Sequence, residues 1–267
     1  MGQFEAFLYG LVQGVTEYLP VSSSAHLVLL PHVLGQKDPG LAFDVILHLG
    51  TLLATAVYFF SDWLTILKNP MPTTNNEGKI AHLSWMHLIV GTIPAVIAGA
   101  LLNHWIQDHT RSLVVLWVTM PVFGLLLWWV DRQSVKTRTI RDSSLKDMLL
   151  IGCMQCLALV PGVSRSGSTI TASRMLGFSR ADSARISFLL SLPITLGAIV
   201  YESRHWHELV ASVDGIAPLV TACLTALVFG ALSIHLLIKW VSKTNYTVFA
   251  VYRVLAAIVI ALTLGRG

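Results

Sequence analysis

The sequence predicts an all-α integral membrane protein with six transmembrane helices and two re-entrant helical hairpins, arranged as an inverted-topology repeat. Three observations predict it. The 267 residues are 54% hydrophobic and only 12% charged, whereas soluble domains carry about 25% charged residues; the chain lacks the material for a water-facing surface. Six apolar runs, 41–60, 85–102, 113–130, 184–200, 216–238 and 248–264, approach the length that crosses a bilayer. Two further apolar segments, 4–30 and 148–176, are interrupted by polar, proline-containing breaks that resemble each other.

The first break is Leu19-Pro20-Val21-Ser22-Ser23-Ser24, and the second is Pro161-Gly162-Val163-Ser164-Arg165-Ser166-Gly167. Proline ends a helix and a following serine starts another, so each segment reads as two half-helices. Such backbone is tolerated at membrane depth only where protein or a water-filled cavity surrounds it. Gln13 lies seven residues before Pro20, and Gln155 six before Pro161. A full span follows each break, one containing His48-Leu49-Gly50-Thr51 and the other Ser191-Leu192-Pro193-Ile194-Thr195. The chain therefore reads as a single membrane domain over 1–267, with repeats of about 1–130 and 140–267.

Loop charges set the topology. The 131–147 loop carries Arg132, Lys136, Arg138, Arg141 and Lys146, which places it in the cytoplasm. If both broken segments re-enter, Lys68, Lys79, Arg174, Arg180, Arg185, Lys239 and Lys243 join that side, twelve basic residues in all. Lys37, Arg111, Arg204 and Arg266 stay outside, and Arg165 and Arg253 lie at membrane depth. Spanning segments would weaken this bias. Re-entrance opens one break outward and the other inward, an inverted repeat whose tips can meet near the midplane.

The formal charge of +4 is explained by these loops rather than by nucleic-acid binding. No basic stretch precedes the first apolar segment, where Glu5 stands instead, so no cleavable signal peptide is expected. Cys153 and Cys156 form a CxxC in an apolar stretch without a second ligand pair, and with Cys223 they read as small packing residues.

The chemistry lies at the breaks. Gln13 and Glu17 are four apart and share one face of a half-helix. A carboxylate in an apolar segment is costly, and usually serves a function or reaches headgroup water. Ser22, Ser23 and Ser24 can cap the next half-helix, whose free N–H groups favour phosphate. His26 follows as a general base, a nucleophile or a hydrogen-bonding group; His48, His87 and His235 read as structural. At the second break Arg165 offers a rigid fork for phosphate oxygens, and Gly162 and Gly167 allow close approach of backbone N–H groups. Arg165 could also pair with Glu17 and neutralise it. A carboxylate, an imidazole, a guanidinium, hydroxyls and two helix N-termini suit phosphoryl transfer. No nucleotide-binding loop is visible.

The run from Leu11 to His26 resembles the (E/Q)xxxE motif region of the undecaprenyl-diphosphatase family, and Pro161-Gly162-Val163-Ser164-Arg165-Ser166-Gly167-Ser168-Thr169 is similar to its PGxSRSxxT motif. The resemblance covers nearly the whole chain. It implies a bacterial inner-membrane phosphatase, multi-pass, that converts undecaprenyl diphosphate to undecaprenyl phosphate and recycles the carrier lipid of cell-wall synthesis. Overproduction of the family confers bacitracin resistance. The resemblance also implies a site open to the periplasm and a divalent cation, magnesium or calcium. By position it makes Gln13 and Glu17 the residues tied to metal and acid/base work, Ser22, Ser23 and His26 the catalytic positions after the proline, and Ser164, Arg165, Ser166 and Thr169 the phosphate-binding set, with Arg165 catalytic as well. Gln13 stands where the motif also admits glutamate, so a single carboxylate remains.

The expected partners are a polyprenyl diphosphate lipid and the bilayer, with no nucleic acid; a homodimer is one arrangement left open. Attack falls to Ser23, His26 or an activated water, with His26 and Glu17 favoured as the acid/base pair. The chief rival class is a polyprenyl-phosphate transporter or flippase, because inverted repeats with broken helices also mark transporters. The type-2 phosphatidic acid phosphatase motifs are lacking.

Overall fold

The computed structural model describes residues 1–68, 71, 83–110, 112–135, 137–203 and 215–263. Among them every regular element is helical, apart from one isolated bridge between Arg138 and Phe178. The first broken segment forms α1 (Gln3–Tyr18) and α2 (Ser23–Leu34), followed by α3 (Leu41–Tyr58), α4 (Phe60–Lys68), α5 (Trp85–Thr110) and α6 (Leu113–Gln133). The second forms α7 (Leu145–Gln155) and α8 (Arg165–Met175), followed by α9 (Arg180–Glu202), α10 (Ile216–Val241) and α11 (Thr247–Thr263).

Among the described residues four helices are long and apolar enough to cross a membrane, with windows at Trp85–Leu102, Leu113–Gln133, Arg180–Glu202 and Ile216–Val241. A fifth span is reached if α3 and α4 count as one, bent by 73°. The 41–60 run is thus not one straight helix. It breaks at Phe59, whose buried ring packs edge-on to Tyr58, and Asp62 in the next turn pairs with Arg185 of α9. The 248–264 run forms α11, apolar but short of that length within the described residues, and Leu264 lies outside them. The protein is a multi-pass membrane protein, with side chains such as Val57, Leu101, Val118, Val228 and Val259 exposed on its apolar exterior.

Each broken segment turns back on itself. Gln36, just past α2, donates from Nε2 to Glu5 in the first turn of α1. Arg138 reaches both ends of the other hairpin, donating at 3.0 Å to Asp147 Oδ1 in α7 and at 3.0 Å to the Leu176 carbonyl that follows α8. Ser144 starts α7 by accepting from the Asp147 N–H, and Ser179 starts α9 by accepting from the Asp182 N–H.

The halves interlock. α1 packs on α10, and α7 packs on α5. α3 packs against α9, and α6 against α11. Close approach needs glycine at matched places: a Cβ at Gly10 would press into the Ala222 carbonyl of α10, and one at Gly152 into the Gly91 carbonyl of α5. The largest core cluster joins Tyr18, Leu88, Met148, Ile170, Phe188 and Ile234, drawn from both halves.

At one end of the bundle the basic loops converge. Asp131 accepts from Arg174 Nε at 2.9 Å and from Arg180 Nε at 2.8 Å, and Arg180 also donates to the Thr244 carbonyl. The segments that carry Arg174, Arg180 and Thr244 thus meet the end of α6. Lys79, Arg111, Lys136, Arg204 and Arg266 of that count lie outside the described residues.

Candidate functional site

The two breaks meet inside the bundle. Glu17, in the last turn of α1, is 7% exposed. Its Oε2 accepts from Gln13 Nε2 at 3.1 Å, one turn back, and from Ser23 Oγ at 2.6 Å. Its Oε1 accepts from Arg165 Nη2 at 2.9 Å. Arg165 Nη1 also donates to the Ser187 carbonyl at 3.3 Å, and the Thr169 hydroxyl donates to Ser187 Oγ at 2.7 Å. The guanidinium is thus held from α9 as well as by the carboxylate.

The serines at the two breaks adopt matching conformations. Ser22 has φ 74° and Ser164 φ 73°, the two positive-φ residues other than glycine among those described. Each precedes a half-helix, and each hydroxyl contacts the serine two residues on: Ser22 to Ser24 at 3.1 Å, Ser164 to Ser166 at 3.2 Å. Left-handed backbone is unfavourable for an L-residue and clusters at functional sites. The capping differs. Ser164 accepts from the Gly167 N–H at 3.1 Å, whereas Ser22 makes no side-chain cap bond, contrary to the sequence expectation. Its hydroxyl is turned to Ser24, which leaves the first-turn donors of α2 uncapped by that side chain. Ser166 Oγ donates to the Leu19 carbonyl at 3.1 Å and ties the second break to the first.

Sequence reasoning placed Arg253 at membrane depth without giving it a task. It is fully buried in α11 and donates to carbonyls on both breaks: Pro20 at 3.3 Å, Gly162 at 2.7 Å and Val163 at 3.1 Å. It also donates to Met120 at 2.8 Å and Thr119 at 3.3 Å on α6. No carboxylate pairs with it among the described residues. Its signal in the sequence is a lone arginine in a long apolar run, which is costly unless it is paired or serves a task. His48, read as structural, stands with Nε2 3.8 Å from Glu17 Oε2. His26 is engaged elsewhere: Nδ1 lies 2.7 Å from the Ser22 carbonyl and Nε2 2.6 Å from the Tyr252 hydroxyl.

The structure therefore joins Gln13, Glu17, Ser23 and Arg165 in one hydrogen-bonded group, links Ser166 to it through Leu19, and keeps Ser22, Ser164 and Thr169 as the local frame. The pairing of Arg165 with Glu17 leaves the rest of its donor fork, and the α2 start, for an anion. Gln13 Oε1 is buried without a hydrogen-bond partner, an orphaned oxygen beside a carboxylate. Oxygen donors of this kind fit a hard cation such as Mg2+ or Ca2+. Among the described residues no group of three or more His, Cys, Asp or Glu could hold a metal, so a bound diphosphate would have to complete such a set.

The fold and site define a multi-pass membrane protein with a guanidinium, a carboxylate and a hydroxyl joined inside its bundle. A family model described as bacitracin resistance protein BacA matches residues 6–259. The chain is 45% identical to the undecaprenyl-diphosphatase of Gemmatimonas aurantiaca, over 99% of this chain and 98% of that one. It is 45% identical to that of Elusimicrobium minutum, over 98% of each, and 43% identical to undecaprenyl-diphosphatase 2 of Stutzerimonas stutzeri, over 99% of this chain and all of that one. The chain belongs to the BacA bacitracin resistance family.

Proposed function

We propose that this protein removes the terminal phosphate of undecaprenyl diphosphate, giving undecaprenyl phosphate and inorganic phosphate. The observation that carries the reading is the Arg165–Glu17–Ser23 chain, at 2.9 Å and 2.6 Å, built from the starts of α8 and α2 and the last turn of α1 in a member of this family. In hydrolysis the bridging oxygen leaves with the lipid phosphate, and a new P–O bond forms with water or first with a side chain.

Arg165 and the N-terminal N–H groups of α2 and α8 hold the phosphate oxygens and stabilise charge as the bridging bond breaks. Ser23 and Glu17 stand at the separation of a nucleophile and its base, so Glu17 Oε2 can receive the Ser23 proton as the hydroxyl attacks, or activate a water in its place. His26 is the second acid/base group, suited to protonate or deprotonate at Nε2. Gln13 Oε1 and Glu17 would hold a divalent cation, magnesium or calcium, which when bound would neutralise diphosphate charge. Ser22, Ser164, Ser166 and Thr169 shape the cradle.

The topology we assign has six spans and two re-entrant hairpins, the halves of about 1–130 and 140–267 forming an inverted repeat in one membrane domain. The juxtaposed ends of each hairpin, the matched Ser22 and Ser164 backbones and the reciprocal packing of α1 on α10 and α7 on α5 support it. The common basic end is cytoplasmic by the charge bias; membership of the family supports an inner-membrane location with the site reached from the periplasm. A homodimer is compatible with this arrangement. Transport, the rival class, has no comparable support among the relatives, which are named as phosphatases.

The test is phosphate release from undecaprenyl diphosphate by purified protein in detergent, with no gradient present. Turnover lost in Arg165→Ala supports the reading; turnover near wild type in that variant refutes the role of Arg165.

A further inference from the structure

His26 does not stand open in this structure. The Ser22 carbonyl can only accept, so the Nδ1 atom 2.7 Å away carries the ring proton. In the neutral imidazole Nε2 is then the acceptor, and the Tyr252 hydroxyl, 2.6 Å away, donates to it. The two rings stack, with centroids 5.7 Å apart and an interplanar angle of 9°. The lone pair that acid/base chemistry needs is occupied.

The occupant lies at the outer surface of the bundle. Tyr252 is 44% exposed and, with His26, Leu30, Leu255 and Val259, lines an apolar groove of about 430 Å3 between α2 and α11. The next residue, Arg253, points the other way and is fastened to both breaks and to α6. The α11 backbone is therefore fixed, and only the Tyr252 side chain is placed to move. An apolar chain entering this groove must displace that ring to bring a headgroup to His26.

We propose that Tyr252 is a gate on His26: its hydroxyl caps Nε2 in the resting protein, and a prenyl chain seated between α2 and α11 swings the ring aside and exposes that nitrogen. The inference rests on the phosphatase reading above. It couples occupation of the groove by a long chain to exposure of the base, so short diphosphates bind with the gate still closed. Tyr252 touches His26 rather than the reacting phosphorus, and is a positioning residue.

The test is Tyr252→Phe, which keeps the ring and removes the hydroxyl. A neutral hydrogen bond is worth a factor of about two to ten. With undecaprenyl diphosphate the variant keeps kcat while KM falls by a factor in that range; with farnesyl diphosphate kcat rises by a similar factor. Independently of activity, NMR of the His26 ring, assigned by His26→Gln, follows its titration. The groups that act on this imidazole are the Ser22 carbonyl, the Tyr252 hydroxyl and the Arg253 charge. Removing a donor to the neutral ring moves the titration up by about half to one pH unit. An unmoved titration in folded Tyr252→Phe overturns the contact. A moved titration with unchanged farnesyl diphosphate kcat makes the bond a tie between α2 and α11 and overturns the gate. Wild-type protein that releases no phosphate from either substrate overturns the reaction assigned above and the gate with it, while the titration still decides the contact.

Discussion

Glu17 Oε1 lies 2.9 Å from Arg165 Nη2, joining residues 148 positions apart. Neither group is at home in an apolar bundle, because burying an unpaired charge costs several kcal/mol. Each makes the other tolerable, and together they fix the tips of two hairpins against each other. The pair leaves Arg165 with unused donor capacity and Glu17 with a hydroxyl at 2.6 Å, so neutralisation and function coexist in one contact.

Arg253 is the fastener behind that contact. Replacing it by leucine leaves buried carbonyls of Pro20, Gly162 and Val163 without their donor, a loss on the order of 3 kcal/mol. Thermal unfolding in detergent should show a large drop for Arg253→Leu. Arg253→Lys recovers only part of it, since a point charge cannot span five carbonyls on three segments.

The paired serines give different outcomes for one substitution. Relieving a positive φ by glycine is worth about 1 kcal/mol. Ser164 also caps α8 through Gly167, and losing a cap costs about 1 kcal/mol. Ser22 makes no such bond. Ser22→Gly therefore raises the melting temperature, whereas Ser164→Gly leaves it near wild type, and valine at either site lowers it.

Asp147 sets an acid limit at the basic end. Burial pushes its carboxyl up, but the bonds from Arg138 and Ser144 outweigh this and hold it below the usual carboxylate range. Such a group contributes stability above its unfolded pKa of about 3.9, and that contribution is lost as pH falls through the lower folded value. Wild type should thus lose stability below about pH 4, and Asp147→Asn should flatten that limb while lowering stability at neutral pH. Unfolding curves at a series of pH values check both.

Gln13 offers a neutral oxygen where a second carboxylate could stand. Gln13→Glu should tighten binding of the divalent cation, read as a larger cation-dependent rise in melting temperature and a lower cation concentration for half-maximal phosphate release. Chelation should abolish release in wild type.

Much of this was legible in the residues. The prolines and serines of the breaks, and the lone Glu17 and Arg165 in apolar surroundings, announced two half-helix pairs and a charge meeting. The bend after Tyr58 was not legible, because Phe59 and Phe60 continue the apolar run and the turn depends on tertiary contacts such as Asp62 with Arg185. Tyr252 and His48 could not be placed either. Their importance comes from neighbours 226 residues away in one case and on a separate helix in the other. Hydropathy marks Arg253 as unusual, but only packing reveals that its partners are carbonyls.

The central claim is that Glu17 and Arg165 act as one unit on a diphosphate. The most direct measurement is phosphate release from undecaprenyl diphosphate by wild type, Glu17→Gln, Arg165→Ala and the double variant, each shown to be folded. Residues that act together lose activity non-additively, so each single variant should fall by about a thousandfold and the double variant little further. A double variant that falls by the product of the single losses, or an Arg165→Ala protein that turns over at the wild-type rate, would contradict the account.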